Sequence, residues 1–436
     1  MGTGENLTQA PFKYPQRTGL SVASSSSASE ILLYGCHHVA GISMDERVLN
    51  IRAFLHSPHR IAAARGLRGE EAQGLIELID QAVTLSELDQ KLRKQCLHLL
   101  YKVCKACETL PASYILRQEV LDVGGVCCYG GFADVREGEY LGRRVAIKCL
   151  RYGSKGAIGK TFKRFCREVI AWKRLSHDNI LPLLGVFVST NPLRSLIVSS
   201  WMRNGNVMEY TRGNPELSEV MSGATYLHEL GVAHGDLKGA NILVDDNGTA
   251  RLADFGLMAI LIDLSTIPLS ATTVSSVGTV CWMSPELLFG QNSPRTCQSD
   301  CYALGMVIYE VLTGLRPFHN LSPFAVVVAV QKGGRPRKPP NARSLGLSDK
   351  LWELVLRCWN KSSSARPTAR QLFRCLEDSS RTWIPPPEYP ILDDFDGGEG
   401  IDLTSDDEWS IATGALESGL FALMVGMLCV LLLLFT

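Results

Sequence analysis

Five short polar strings follow one another in a set order between Val145 and Glu286. Val145-Ala146-Ile147-Lys148 is an apolar run of strand character that ends in an amine. Phe165-Cys166-Arg167-Glu168-Val169-Ile170 has helical spacing and carries one carboxylate. His234 to Asn241 reads H-G-D-L-K-G-A-N, and Asp254-Phe255-Gly256 and Ser284-Pro285-Glu286 complete the series. Singly, such strings are ordinary: Asp-Phe-Gly is a turn, and V-A-I-K is a strand with a solvated lysine. In series they leave few folds open. Asn241 and Asp254 are oxygen donors of the kind hard divalent cations take, and Lys148 and Glu168 carry opposite charges on a strand-like and a helix-like stretch.

Together the strings resemble the eukaryotic protein-kinase family, over about Leu121 to Leu376. The wording of Arg251 to Leu257 and of Ser299 to Met306 is similar to the tyrosine-kinase-like group of serine/threonine kinases, of the kind expanded in basidiomycete fungi. The resemblance implies an α+β fold of two lobes, a small antiparallel sheet with one helix followed by a larger, mainly helical lobe, here preceded by a helical segment. It implies ATP and Mg²⁺ as cofactors and a protein as substrate. Lys148 would meet the α- and β-phosphates, with Glu168 as its partner. Asp236 would orient and deprotonate the attacking hydroxyl, with Lys238 beside the γ-phosphate and Thr279 in contact with both. Asn241 and Asp254 would hold the metal. Gly130, Gly131, Val135 and Ala146 would line the nucleotide cleft, with Ser199 as gatekeeper and Ser200 and Met202 along the hinge. Glu286 would pair with Arg366, and Asp300 would tie down the loop around Asp236. Lys238 and Thr279 favour serine/threonine specificity. The implied function is ATP-dependent phosphorylation of serine or threonine in intracellular signalling.

Three departures from the family pattern support an alternative, a pseudokinase that serves as a scaffold. The phosphate loop Tyr129-Gly130-Gly131-Phe132-Ala133-Asp134-Val135 keeps only the middle glycine, with Tyr129 and Ala133 at the flanking glycine positions. Gly235 stands where most kinases have an arginine that answers a phosphate on the activation loop. The helix read from Glu216 to Glu229 would be about 21 Å long, roughly two turns shorter than the family's.

Outside the strings the chain says less. Lysine plus arginine and aspartate plus glutamate both number 44, so no global field points to nucleic acid. The 14 cysteines are scattered. Cys104 and Cys107 share a helical face with Cys96, Leu100 and Val103 and read as core thiols, not as a metal site. Residues 1–48, rich in Ser and Gly, read as disordered, with no signal peptide. Residues 49–118 read as helical, with one apolar stripe at Leu75, Ile76, Ile79 and Val83 and a second at Leu88, Leu92, Cys96, Leu99, Val103 and Cys107. Thr84 and Glu87 suggest a capping box between them. The pair would pack on the small lobe, or serve as a partner-binding or autoinhibitory module. The kinase-like region is placed at 119–378 and an acidic linker at 379–416. Residues 417–436 are expected to form a transmembrane helix, since the uncharged run Gly419–Phe435, about 17 residues, is at the short limit for a bilayer. The corresponding location is a tail-anchored membrane protein with its catalytic region in the cytosol, the alternative being cytoplasmic.

Overall fold

The computed structural model describes residues 44–129, 133–150, 158–188, 195–210, 217–257, 259–260, 279–290 and 293–380. Four helices come first: α1 (Met44–Leu55), α2 (Pro58–Gly66), α3 (Gly69–Val83) and α4 (Gln90–Cys107). Two apolar stripes of the expected spacing drive α3 against α4. Ile76, Leu100 and Val103 are fully enclosed. The bundle is larger than the expected pair, because α1 and α2 add Val48, Ile51, Phe54 and Ile61 to the same core. Helix α1 also begins at Met44, inside the stretch expected to lack structure. The expected capping box is displaced as well. Asp89 caps α4, its carboxylate accepting from the Leu92 N–H at 2.7 Å, whereas Thr84 closes α3 and donates to the Gln81 carbonyl.

Next come strands β1 (Leu121–Tyr129), β2 (Ala133–Tyr140) and β3 (Arg143–Leu150), helix α5 (Ile158–Trp172), and strands β4 (Leu183–Val188) and β5 (Ser195–Ser200). The five strands form one antiparallel sheet in the order β1-β2-β3-β5-β4. Between β2 and β3 the turn residues Leu141 and Gly142 both have positive φ (53° and 72°), the geometry tight hairpins favour. Val145, Ile147 and Val198 form a small core on one face of the sheet. The other face looks toward α5 and the larger lobe.

The larger lobe contains α6 (Leu217–Glu229), β6 (Val232–Ala233), β7 (Ile242–Val244), β8 (Ala250–Leu252) and β9 (Ala259–Ile260). It continues with α7 (Pro285–Phe289), α8 (Cys297–Thr313), α9 (Pro323–Gln331), α10 (Asp349–Cys358) and α11 (Ala369–Ser380). Short ribbons β6-β9 and β7-β8 frame the segment that holds Asp236 and Asn241. Helix α8 is buried along its whole length from Ser299 to Thr313. Such a helix needs apolar residues on every side, which Tyr302, Leu304, Met306, Val307 and Ile308 supply. Helix α6 is short, at 13 residues, yet Val220, Met221, Ala224 and Leu227 are all enclosed and α11 packs along it. The fold is thus the two-lobed arrangement expected, preceded by helices.

No described helix is long and apolar enough to cross a membrane. On that finding the expected transmembrane helix, membrane anchoring and tail-anchored location are corrected: no span among the described residues supports them. The apolar run at 417–436, the acidic linker beyond residue 380 and the loop residues Gly130 and Gly131 lie outside the described residues, whereas residues 379 and 380 of the expected linker complete α11.

Candidate active site

The β-sheet register decides which side chains can share a cleft. Val135 pairs with Lys148, and Ser199 pairs with Ala146. Paired residues and residues two apart on a strand point to the same face, so Val135, Ala146, Lys148 and Ser199 stand together. Ser200 pairs with Val145 on the opposite face, so its side chain is directed away from that group. Met202, just beyond β5, is half-buried against the main core.

From this face Lys148 donates to Glu168 Oε1 of α5 at 2.5 Å and to Asp254 Oδ1 at 2.7 Å. Glu168 is almost completely buried. Burial by itself depresses the Lys148 ammonium, but Asp254 and then Glu168 outweigh it and hold the pKa above the ordinary lysine value. The Lys148 charge, opposed by burial, in turn holds the Asp254 carboxyl well below the usual range. Asp254 has φ of 62°. That left-handed backbone is costly for a residue with a Cβ, and such strain collects at functional sites. Its neighbour Phe255 is held between Trp172 of α5 and His234, with ring centroids 5.2 and 5.3 Å away. Aromatic packing therefore joins the two lobes directly behind the acidic group.

The loop around Asp236 is fixed from below. Asp300 on buried α8 accepts from the His234 N–H at 2.7 Å and the Gly235 N–H at 2.9 Å, and it contacts His228 at 3.0 Å. Gly235 has φ of 81°, which glycine adopts without strain. Its carbonyl accepts from Arg295 Nε at 2.9 Å, a contact the sequence reading did not anticipate. Glu310, also missed, accepts from the Gly239 N–H and the Trp282 indole N–H, both at 2.8 Å. Burial raises its pKa, and those two donors only partly oppose the rise. It sits in the last turn of α8 among apolar residues, so a buried polar anchor could be suspected there from composition alone.

Asp236 has one oxygen engaged and one free. Oδ2 accepts from Lys238 Nζ and from Asn241 Nδ2, each at 2.9 Å. Among the described residues Oδ1 is buried and has no hydrogen-bond partner. Lys238 also donates to Thr279 Oγ1 at 3.1 Å. Asn241 gives its remaining amide hydrogen to the Asp236 carbonyl at 2.7 Å, which leaves its own carbonyl oxygen for another partner. No group of three or more His, Cys, Asp or Glu among the described residues could hold a metal unaided. Two protein oxygens from Asn241 and Asp254 suit Mg²⁺, which keeps water and takes substrate phosphates for its other positions. The donor set therefore fits the cofactor that the sequence implies.

A profile of the protein tyrosine and serine/threonine kinase family matches residues 122–376. The chain belongs to that family. Relatives of this chain include the serine/threonine-protein kinase STY46 of Arabidopsis thaliana, 30% identical over 60% of this chain and 44% of that protein. The probable serine/threonine-protein kinase drkA of Dictyostelium discoideum is 32% identical over 58% of this chain and 39% of that protein. The serine/threonine/tyrosine-protein kinase HT1 of Arabidopsis thaliana is 30% identical over 59% of this chain and 66% of that protein. The chain thus spans less than half the length of STY46 and drkA.

Proposed function

We propose that this protein phosphorylates serine or threonine hydroxyls of protein substrates in intracellular signalling, using ATP and Mg²⁺. The observation that carries the reading is the buried Oδ1 of Asp236, which has no partner among the described residues. A buried carboxylate oxygen without a donor is unfavourable, and the natural donor at that point is an incoming hydroxyl. Oδ1 accepts that hydrogen bond and takes the proton, while Lys238 and Asn241 hold Oδ2 and fix the plane of the carboxylate. Lys148 would meet the α- and β-phosphates, and Asn241 and Asp254 would hold the metal. Val135, Ala146, Ser199 and Met202 would enclose the base, with Ser200 offering only its backbone and Gly130 and Gly131 covering the phosphates. When bound, Mg·ATP supplies the transferable phosphoryl group and the cation that shields its charge.

Lys238 and its bond to Thr279 support serine/threonine rather than tyrosine specificity. We delimit the catalytic domain at 119–378 and place it in the tyrosine-kinase-like group, of the kind expanded in basidiomycete fungi, on the wording of Arg251–Leu257 and Ser299–Met306. The scaffold alternative loses its main support in α6, which is short but encloses its apolar face of Val220, Met221, Ala224 and Leu227. Incubation of the full chain with Mg²⁺, γ-labelled ATP and a general acceptor such as casein tests the proposal. Phosphoserine and phosphothreonine are the expected products. Label on tyrosine alone, or no transfer at all, overturns it.

A further inference from the structure

Helix α5 carries Glu168, so whatever fixes α5 fixes the Lys148 pair. Its last five residues are enclosed on all sides: every residue from Glu168 to Trp172 is buried. A helix lying on a lobe with one face to water shows a periodic stripe of exposure, and a run of buried residues requires cover on the outer side as well. That cover is α4, which packs along α5. Tyr101 lies under the Arg167 guanidinium at 5.8 Å. Burial, followed by the adjacent Cys104, raises the Cys166 thiol well above its ordinary value, as expected of two inert core thiols at one contact.

The end of α5 is also fastened. Asp80 of α3 is buried, and its carboxylate accepts from Tyr114 Oη at 2.8 Å and Ser113 Oγ at 3.2 Å. It also pairs with Arg174, two residues past the end of α5, and Arg174 donates to the Asp80 carbonyl at 3.1 Å. Tyr114 belongs to the linker between α4 and β1. The next residues run along the free edge of the sheet, where the Leu116 N–H donates to the Val186 carbonyl at 2.9 Å. Gly185 makes that seat: a Cβ there would lie 2.8 Å from the Tyr114 carbonyl oxygen and 2.6 Å from Leu116 Cδ2.

We propose that helices α1–α4 and their linker form a built-in clamp that holds α5 with Glu168 against Lys148, and that Asp80 is its positioning residue. The module therefore supports the catalytic arrangement, in place of the autoinhibitory role the sequence left open. The proposal rests on the kinase reading for its consequence, but its geometry can be tested without activity.

The test uses the full chain with Asp80→Ala, Asp80→Asn, Gly185→Ala and, as an inactive control, Asp236→Ala. Hydrogen exchange is followed in peptides covering 165–172, alongside kcat and KM for ATP and for casein, each normalised to folded protein. Release of a clamp is expected to speed exchange in 165–172 and to change turnover and the KM for ATP by about 10-fold, a typical coupling between sites. The KM for casein stays unchanged. Asp80→Asn keeps an acceptor oxygen and loses less than Asp80→Ala. Gly185→Ala, which pushes on the linker from the other side, has the same signature. A lower melting temperature with unchanged exchange in 165–172 and unchanged KM for ATP would assign Asp80 a merely structural role and overturn the proposal. If Asp80→Ala does not fold, Asp80→Asn and Gly185→Ala decide by the same criteria. If wild type transfers no more phosphate than Asp236→Ala, the kinase reading fails, and the exchange data still decide the clamp.

Discussion

Asp236→Ala is expected to lower the rate of phosphate transfer by about 10²–10⁴-fold, the usual contribution of a positioned general base. The fold should barely notice. Asn241 retains its bond to the residue-236 carbonyl at 2.7 Å, and Lys238 retains Thr279 at 3.1 Å. ATP affinity should change little, because on the proposed reading Asp236 would face the acceptor hydroxyl while Lys148 would meet the phosphates. Asp236→Asn should be nearly as slow, since an amide keeps the shape but cannot take the proton. Single-turnover transfer with ATP binding measured in parallel separates the two effects. Equal rates for wild type and Asp236→Ala would remove Asp236 from the chemistry.

The second large effect concerns stability. The Arg366 side chain is fully enclosed, with Nη1 and Nη2 reaching the two Glu286 oxygens at 2.6 and 2.8 Å. It also donates to the Gln298 and Asn360 carbonyls, both at 2.9 Å, and lies over the Tyr302 ring at 5.2 Å. Glu286→Ala leaves that guanidinium buried without its counter-charge, a loss of about 3–5 kcal/mol. The midpoint of urea unfolding reads it directly. The sign with pH is also set. Burial raises the Glu286 pKa, but the Arg366 hydrogen bond and charge, with further hydrogen bonds, outweigh it, so the folded value lies below the ordinary 4.5. The pair's contribution is therefore present above that value and fades as pH falls through the lower folded one. Wild type should lose this part of its stability on acidification, and Glu286→Ala should lack that limb. A shift below about 1 kcal/mol, the size of an exposed pair, would contradict the assignment.

Much of the site was legible because its groups lie within short strings whose local geometry follows from residue type. Lys148 follows the apolar strand-forming run Val145-Ala146-Ile147, Asp254 lies two residues before a glycine in a turn, and Asp236 and Asn241 are five residues apart on one loop. The sheet followed for the same reason. What stayed hidden depends on register or on long-range contact. Ser199 and Ser200 are equivalent in sequence, and only pairing with Ala146 or Val145 separates their faces. Helices α1 and α2 are weakly amphipathic, and their apolar residues gain meaning only against α3 and α4. Asp80 and Arg174 are 94 positions apart, so nothing local marks either. Glu310 and Arg295 act on loop backbone groups that a sequence pattern does not display. The membrane anchor was inferred from hydropathy alone, with no positive flank to support it.

On the proposed reading these contacts serve a cleft in which Lys148, Asn241 and Asp254 would receive a metal-bound nucleotide beside Asp236. Titration of the full chain with ATP, with and without Mg²⁺, tests this most directly when Asp254→Ala is run alongside. Binding should tighten when Mg²⁺ is added to wild type, and that gain should disappear in Asp254→Ala. No uptake of ATP with Mg²⁺ supplied, or a variant that binds Mg·ATP as tightly as wild type, would contradict the account.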